Sequence, residues 1–265
     1  MKVAIVGGNG FLGSAITKAA VGRGWEVSSI SQSGRPFRTP SGHTPKWTDE
    51  VKWTSANVFD QNTYADVIKQ SDAVVHTIGI LLESDYKNGP LDALKGLIAG
   101  RENPNPLTGG LYERLNRDAA IRVADVYKNT RTTQEDNPFV YISAADIFRP
   151  LIPSRYISTK REAEEYLKRL DGIRDISLRP GLMYHPHTRP ISTIPATMID
   201  ILNKLPKPFI NGLDADSNLQ SVQNLLHTSA LHIDTVGAAA LEAILDKSQS
   251  GDVNVDDIKR LAWKS

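Results

Sequence analysis

The sequence predicts an α/β fold built on a doubly wound parallel sheet, followed by a small, mostly helical C-terminal region. Two observations carry this expectation. Short apolar runs alternate with amphipathic stretches along most of the chain, the pattern of a parallel sheet covered on both faces. The first apolar run, Val3–Val6, also passes directly into glycines at three-residue intervals, Gly7, Gly10 and Gly13, ahead of a helix pattern. At 265 residues the chain can bury a sizeable core as one α/β unit.

The elements follow in order. Strands are predicted at Val3–Val6, Glu26–Ile30, Val51–Ala56, Ala73–Thr77, Phe139–Ser143 and Ile176–Arg179, each short and rich in apolar or β-branched residues. Helices are predicted at Phe11–Arg23, where Leu12, Ala15, Ile16, Ala19 and Ala20 share a face, and at Thr63–Gln70, Leu115–Lys128 and Tyr156–Leu170. Between Ser33 and Asp49, Gly, Pro, Ser and Thr dominate, so a loop is expected where a second helix would stand. Glu83–Gly110 is again irregular, broken by Asn103-Pro104-Asn105-Pro106. It follows the fourth strand, at the sheet edge where such folds bind ligands, and three readings stand open: a lid, a docking surface, or a disordered insertion. After Arg179 the pattern changes to short helices, Ile194–Leu205, Ala230–Leu245 and Val255–Ala262. The expected organisation is therefore residues 1–181 as a dinucleotide-binding domain, with 182–265 packed on it as a substrate or partner region in one structural unit. There are no internal repeats.

Composition removes several function classes. The chain is 40% hydrophobic and 23% charged with a formal net charge of +1, so no basic face for nucleic acid is expected. The absence of cysteine excludes disulfides, thiolate metal sites and thiol catalysis. No apolar run approaches the roughly 20 residues needed to cross a bilayer. No secretory signal or Arg-rich presequence precedes the first strand, and the expectation is that any targeting peptide has been removed or is internal. His185-Pro186-His187 could suggest a metal pair, but no third ligand is evident and no metal is expected.

The strand–glycine–helix junction carries the first chemistry. Gly7 permits a tight turn off the strand, Gly10 lets backbone approach a pyrophosphate, and Gly13 lets the helix pack closely on the sheet. Asn9, Phe11 and Leu12 complete the loop and helix start, whose N–H groups and dipole favour an anion. An ordinary glycine turn is the bland alternative. The second strand ends Ile30-Ser31-Gln32-Ser33-Gly34-Arg35, with no carboxylate for a ribose diol. Ser31 and Ser33 can donate to a 2′-phosphate and Arg35 can pair with it bidentately, with Arg38 as a second candidate. NADP(H) is therefore expected in preference to NAD(H), although a solvated arginine would look the same. Asn57 and Val58 follow the third strand, and the Asn57 amide can offer both a donor and an acceptor to a cofactor there. His76, Thr77, Ile78 and Gly79 end the fourth strand along the ribose and phosphates, although a lone His in such a place is usually packing.

Tyr156-Ile157-Ser158-Thr159-Lys160 puts a lysine four residues after a tyrosine, one helical turn away on the same face. A nearby ammonium lowers a phenol from its usual value of about 10 and makes it a usable acid or base. A solvated Tyr/Lys pair is the bland alternative.

The glycine pattern G-x-x-G-x-x-G resembles the extended and atypical members of the short-chain dehydrogenase/reductase superfamily, whose fold is Rossmann-like. Val6 stands where that family has threonine. Asn116 and Ser143 precede Tyr156 at the offsets of the family's Asn-Ser-Tyr-Lys tetrad. By this resemblance Ser143 polarises a substrate carbonyl, Tyr156 exchanges the proton, and Lys160 holds the nicotinamide ribose and tunes Tyr156. Asn116 anchors a water in the relay. Arg179-Pro180-Gly181 resembles the R-P-G that lies beside the nicotinamide.

A narrower resemblance rests on Gly7–Gly13 with His76–Glu83, Pro104-Asn105-Pro106-Leu107, Tyr141-Ile142-Ser143-Ala144, Pro150-Leu151-Ile152-Pro153-Ser154 and Tyr156–Glu164. Together these are similar to a fungal mitochondrial short-chain-dehydrogenase-like group of ubiquinone (coenzyme Q) biosynthesis. That group is related to the NADPH-binding accessory subunit of respiratory complex I. The resemblance implies a place on the matrix side of the inner membrane, peripheral and without a transmembrane segment, among ubiquinone-synthesis proteins. It also implies a quinone-type or prenylated ring ligand. Two activities follow from it: an NADPH-dependent oxidoreductase, or a nucleotide-loaded scaffold without turnover, as in the complex I relatives. A sensor of the NADP(H) ratio would use the same site.

Overall fold

The computed structural model describes residues 1–80, 110–131, 136–146, 154–188 and 228–264. Seven parallel strands form one sheet: β1 Lys2–Val6, β2 Glu26–Ser31, β3 Val51–Ser55, β4 Ala73–His76, β5 Pro138–Ile142, β6 Arg174–Leu178 and β9 Gly251–Val253. Their spatial order is β3-β2-β1-β4-β5-β6-β9. The order reverses between β1 and β4, which opens a crevice beyond the carboxyl ends of those two strands. A separate parallel pair joins β7 (Met183–Tyr184) to β8 (Leu231–His232).

Side-chain alternation sorts the sheet into two cores. Val3, Ile5, Val75, Val140, Ile142 and Ile176 face α1 (Phe11–Gly22), α5 (Ile233–Leu245) and α6 (Val255–Ala262). Ala4, Val6, Val74, Phe139 and Tyr141 face α2 (Ala65–Lys69), α3 (Ala119–Asn129) and α4 (Ser154–Lys168). The helix expected at Thr63–Gln70 is split into a 3₁₀ turn, Gln61–Thr63, and the short α2. Ahead of α3 the chain makes a π-helical turn over Glu113–Asp118.

The loop expected after β2 is present, closed by a 3₁₀ turn at Lys46–Glu50. Aromatic packing takes the place of a helix there. Phe37 stacks on Trp47 with ring centroids 5.9 Å apart, and Trp47 meets Trp53 at 6.4 Å. Trp47 and Trp53 lean on the α1-side core.

The C-terminal segment does more than pack on the sheet. It supplies the seventh strand, β9, and α5, whose Gly237 lies so close to α1 that a Cβ would touch the Ala15 backbone at 3.4 Å. Leu231–His232 is strand, so the helix expected from Ala230 starts at Ile233, capped by the His232 ring accepting from the Asp234 N–H. Arg174 closes the far end of α5. Its guanidinium donates to the carbonyls of Ala243, Ile244, Asp246 and Gln249 at 2.6–3.2 Å and pairs with Asp136. The Ala243 and Ile244 carbonyls belong to the last turn of α5, where a helix end leaves acceptors without partners, and Asp246 and Gln249 follow just beyond it. The expected helix at Ile194–Leu205, the 83–109 stretch and the motifs at Pro104–Leu107 and Pro150–Pro153 lie outside the described residues.

Candidate functional site

The glycine junction sits at the β1/β4 crevice, and its three motif glycines are required for different reasons. Gly7 has a φ of +90°, and a Cβ there would lie 2.5 Å from Thr77 Oγ1. A Cβ on Gly13 would lie 2.1 Å from the Gly7 carbonyl oxygen, so helix and loop backbones touch. Gly10 is different. Its backbone is ordinary extended chain, φ −77° and ψ −179°, and a Cβ would meet only the Gly7 oxygen, at 3.1 Å. Among the described residues nothing demands glycine strongly at position 10. Helix α1 opens there with no side-chain cap and no acidic residue in its first turn, which leaves its positive end uncompensated.

The loop after β2 lies against this junction. Asn9 Nδ2 donates to Ser33 Oγ at 3.1 Å and to the Arg35 carbonyl at 3.3 Å, tying the two loops together. Ser31 is buried and its hydroxyl accepts from the Gly34 N–H. Gly34 has a φ of +60° and presses on the Ser55 backbone. The Arg35 and Arg38 side chains are exposed, and among the described residues neither makes an ion pair or hydrogen bond. Asn57 Oδ1 accepts from the Phe59 N–H and shapes the turn after β3, while Val58 packs on the α3-side core.

At the end of β4 the chain enters the second half of the site. Thr77 Oγ1 donates to the Val6 carbonyl, and Ile78 packs on the α3-side core. The His76 side chain does not reach the crevice. Strand alternation turns it into the α3-side core, fully buried, 6.0 Å from the Tyr141 ring. Burial, reinforced by the Lys160 charge, pushes its pKa down to about 3, so it is neutral. Lys160 is buried too. Its Nζ donates to the Ile142 carbonyl at 2.8 Å and lies 4.7 Å from the Tyr141 ring centre. Burial pushes it down to about 7, against the pull of Glu164. Gly79 touches this group: a Cβ there would lie 2.8 Å from Lys160 Nζ and 3.0 Å from Asn116 Oδ1. Asn116 is held on both sides, Oδ1 accepting from the Ile80 N–H at 2.8 Å and Nδ2 donating to the Ile80 carbonyl at 3.1 Å. The π-helical turn takes the Asn116 carbonyl off the regular helix ladder, and the Tyr141 hydroxyl donates to it.

Tyr156 is half-buried and sits edge-on to Tyr112, ring centres 6.3 Å apart. Burial first, and then Tyr112, push its phenol up to about 12, while Arg161 pulls the other way. The expected lowering by Lys160 is not found, because the ammonium is turned to the Ile142 carbonyl. Ser143 is buried, and its hydroxyl accepts from Arg161 Nη1 at 3.1 Å. Arg161 also donates to the Ala144 carbonyl and to Glu164. Arg179 pairs with the same Glu164 and with Asp252 on β9, and the Pro180 carbonyl accepts from the Ala145 N–H. Gly181 follows directly.

Arg161 and Glu164 were not singled out by sequence reasoning. Lys160-Arg161-Glu162-Ala163-Glu164-Glu165 looks like a solvated helix face, and only the three-residue spacing of Arg161 and Glu164 hinted at a pair. The sequence also hid neighbours of His185: His232 and Asp234 offer ligand atoms within 4.8 Å of it. However, Nδ1 of His185 accepts from the His187 and Thr188 N–H groups, and Nδ1 of His232 from Asp234. That tautomer puts the proton on Nε2, which suits turn capping better than metal ligation.

A doubly wound parallel sheet, a glycine-rich first crossover, and Asn116, Ser143, Tyr156 and Lys160 around the ends of β4 and β5 define a short-chain dehydrogenase/reductase architecture. Comparison with known proteins agrees. The model of the NAD dependent epimerase/dehydratase family matches residues 3–96. MIOREX complex component 2 of Saccharomyces cerevisiae is 37% identical over 209 residues, which cover 72% of this chain and 75% of the yeast protein. The chain therefore belongs to the short-chain dehydrogenase/reductase superfamily, in the family that includes that yeast protein. An Arabidopsis thaliana protein described as uncharacterized and chloroplastic is 28% identical over 267 residues, 99% of this chain and 78% of its own length. Among solved structures, an oxidoreductase of the superfamily from Burkholderia thailandensis superimposes with a TM-score of 0.61 at 14% identity, covering 96% of this chain and 90% of its own. UDP-glucose 4-epimerase from Thermus thermophilus, solved in complex with NAD, gives 0.57 at 16%, covering 99% and 81%. At such identities the likeness is one of fold.

Proposed function

We propose that this chain binds NADP(H) at the β1–α1 junction and serves ubiquinone biosynthesis as an oxidoreductase on a quinone or prenylated ring intermediate. The observation that carries the dinucleotide is Gly10: its glycine is scarcely needed for backbone or packing, which points to a ligand outside the chain. The crevice fits the group. A helix N-terminus without an acidic residue suits a pyrophosphate, and Ser33, Arg35 and Arg38, on the loop tied to that junction by Asn9, offer the donors and charge that suit a 2′-phosphate. When bound, the dinucleotide supplies hydride. Lys160 and Asn116, which meet at Gly79, would hold the ribose, and a Tyr156 phenol that stays protonated at neutral pH suits donation to a carbonyl, the direction of reduction.

The proposed location is mitochondrial, on the matrix side of the inner membrane, within an assembly of ubiquinone-synthesis proteins. The sequence resemblance supports it, as does a yeast relative named as a complex component. No helix among the described residues is long and apolar enough to cross a membrane.

A second reading, a nucleotide-loaded scaffold, draws on a specific observation. Ser143 and Lys160 are both engaged by the protein, the one by Arg161 and the other by the Ile142 carbonyl. The cofactor assignment is tested by calorimetric titration with NADPH and NADH. NADPH is expected to bind more tightly, and Arg35→Ala to weaken it by roughly 1.5–3 kcal/mol, the range for a hydrogen bond to a charged group, with NADH nearly unaffected. Equal or tighter binding of NADH would defeat the Arg35 argument.

A further inference from the structure

Beyond the carboxyl ends of β5, β6 and β9 lies a cleft of about 310 Å³ whose described lining includes Arg161, Arg179, Ser229, Asn254, Asp146 and Asp256. It lies on the Ser143 side of the sheet, away from the glycine junction, with Arg161 belonging both to the cleft wall and to the Ser143 hydrogen bond. We propose that this cleft binds an anionic group, a carboxylate or a phosphate, on the molecule presented to Ser143. The inference rests on the proposed function for its use and deepens it by naming a chemical handle of the substrate.

Arginine placement is the first support. Glu164, almost wholly buried, is shared by Arg161 and Arg179, and Asp252 is shared by Arg179 and Lys168, which Asp175 also faces. The carboxylates that hold the two arginines lie outside the cleft lining, which both guanidiniums join. The second support is donor geometry. Arg161 uses its two terminal nitrogens on Ser143, Ala144 and Glu164, and Arg179 uses Nε and Nη2 on Glu164 and Asp252. Arg161 Nε and Arg179 Nη1 have no protein acceptor among the described residues. Two guanidiniums pinned by one buried carboxylate form a preorganised fork, the arrangement suited to carboxylate or phosphate oxygens. Asn254 caps α6 through Oδ1, which leaves its NH₂ to donate, and Ser229 adds a hydroxyl. Two carboxylates also stand on the rim. Asp146 is exposed, and Asp256 has a side chain 92% exposed and turned to Lys259 at 3.6 Å.

The test titrates the full chain with benzoate and, separately, inorganic phosphate, following the arginine Nε–H resonances by NMR. A saturable shift at Arg161 with either probe supports the proposal, and the probe that binds more tightly says which anion the cleft prefers. Arg161→Gln is expected to weaken that binding by about tenfold or more, the loss of a charge-assisted contact. If that variant does not fold, Asn254→Asp serves instead: it keeps an equally good helix cap, adds a negative charge at the cleft, and is expected to weaken both probes. Gly10→Val, which should lose NADPH, is expected to keep the probe binding, so a failure of the cofactor reading is seen separately. No saturable shift at Arg161 with either probe, or binding that survives both Arg161→Gln and Asn254→Asp unchanged, overturns the proposal.

Discussion

The three glycines of the first crossover should respond to substitution in different ways. Gly10→Val places a side chain in a backbone conformation open to any residue, with one contact, at 3.1 Å, to the Gly7 oxygen. Relief needs a shift of a few tenths of an ångström. The other cost is exchange of a tolerated helix cap for a poor one, so about 1 kcal/mol of stability is expected to be lost. Gly13→Ala drives a methyl to 2.1 Å from a backbone oxygen and 2.8 Å from its carbon, neither of which can swing away. Overpacking of that kind costs about 1–3 kcal/mol where side chains absorb it, and here the backbone must move, so about 3 kcal/mol or more is expected. Urea unfolding at constant m-value measures both losses, and calorimetric titration with NADPH measures binding by whichever variants stay folded. Gly10→Val should be folded and unable to bind, because its branched side chain fills the approach to the helix N-terminus. A Gly10→Val variant as unstable as Gly13→Ala would show that position 10 serves packing. One that binds NADPH like the parent would show that no pyrophosphate passes there.

Three other outcomes follow from the site and its supports. Tyr156→Phe should keep NADPH affinity and stability but lose about 10²–10⁴ in rate, so cells carrying only this variant should lose ubiquinone much as a deletion does. Normal ubiquinone at normal protein abundance would refute the oxidoreductase and leave the scaffold. Arg174→Ala strips the end of α5 of donors to four carbonyls and leaves Asp136 unpaired, and should cost about 2–4 kcal/mol in urea unfolding. A loss under about 1 kcal/mol would mean that water replaces the guanidinium without penalty. His76 stays neutral in the folded protein down to about 3, while in the unfolded chain it takes a proton below its ordinary 6.5. Its contribution is therefore complete above 6.5 and declines as pH falls toward 3, with a slope approaching about 1.4 kcal/mol per pH unit. His76→Gln should flatten that slope, and an unchanged slope would place the proton uptake elsewhere, with His185, also held below its ordinary value by burial, as the next group to test.

The sheet was most legible at β1, β4 and β5, which are buried on both faces and read as apolar runs, whereas the edge strand β3 is only partly buried. Phe11 and Ala65 open helices close to where periodicity put them. What escaped was whatever depends on distant partners. Gly251–Val253 has only three residues and joins the sheet because β6 offers a free edge, which no local pattern announces. The π-helical turn at Asn116 is set by bonds to Ile80 and Tyr141, far away in sequence. In the site, glycine spacing and the Tyr156–Lys160 offset located residues without giving their directions. A four-residue spacing puts two side chains on one face, yet the buried carbonyl of Ile142 draws the ammonium away from the phenol. His76 was placed by position along the strand, whereas alternation decides which way it faces.

The seating of α5 on α1 has a consequence for how the chain is made. The helix that presents its N-terminus to the glycine junction is covered by one synthesised much later, and Arg23 and Glu242, 219 positions apart, pair at 2.6 Å across that contact. During translation the first crossover emerges early but cannot bury the outer face of α1 until Ile233–Leu245 has left the ribosome. Such distant pairing slows folding and leaves apolar surface waiting, so a nascent chain of this kind is a natural client for chaperones. A ribosome stalled before residue 233 would carry a nucleotide cradle with no back wall.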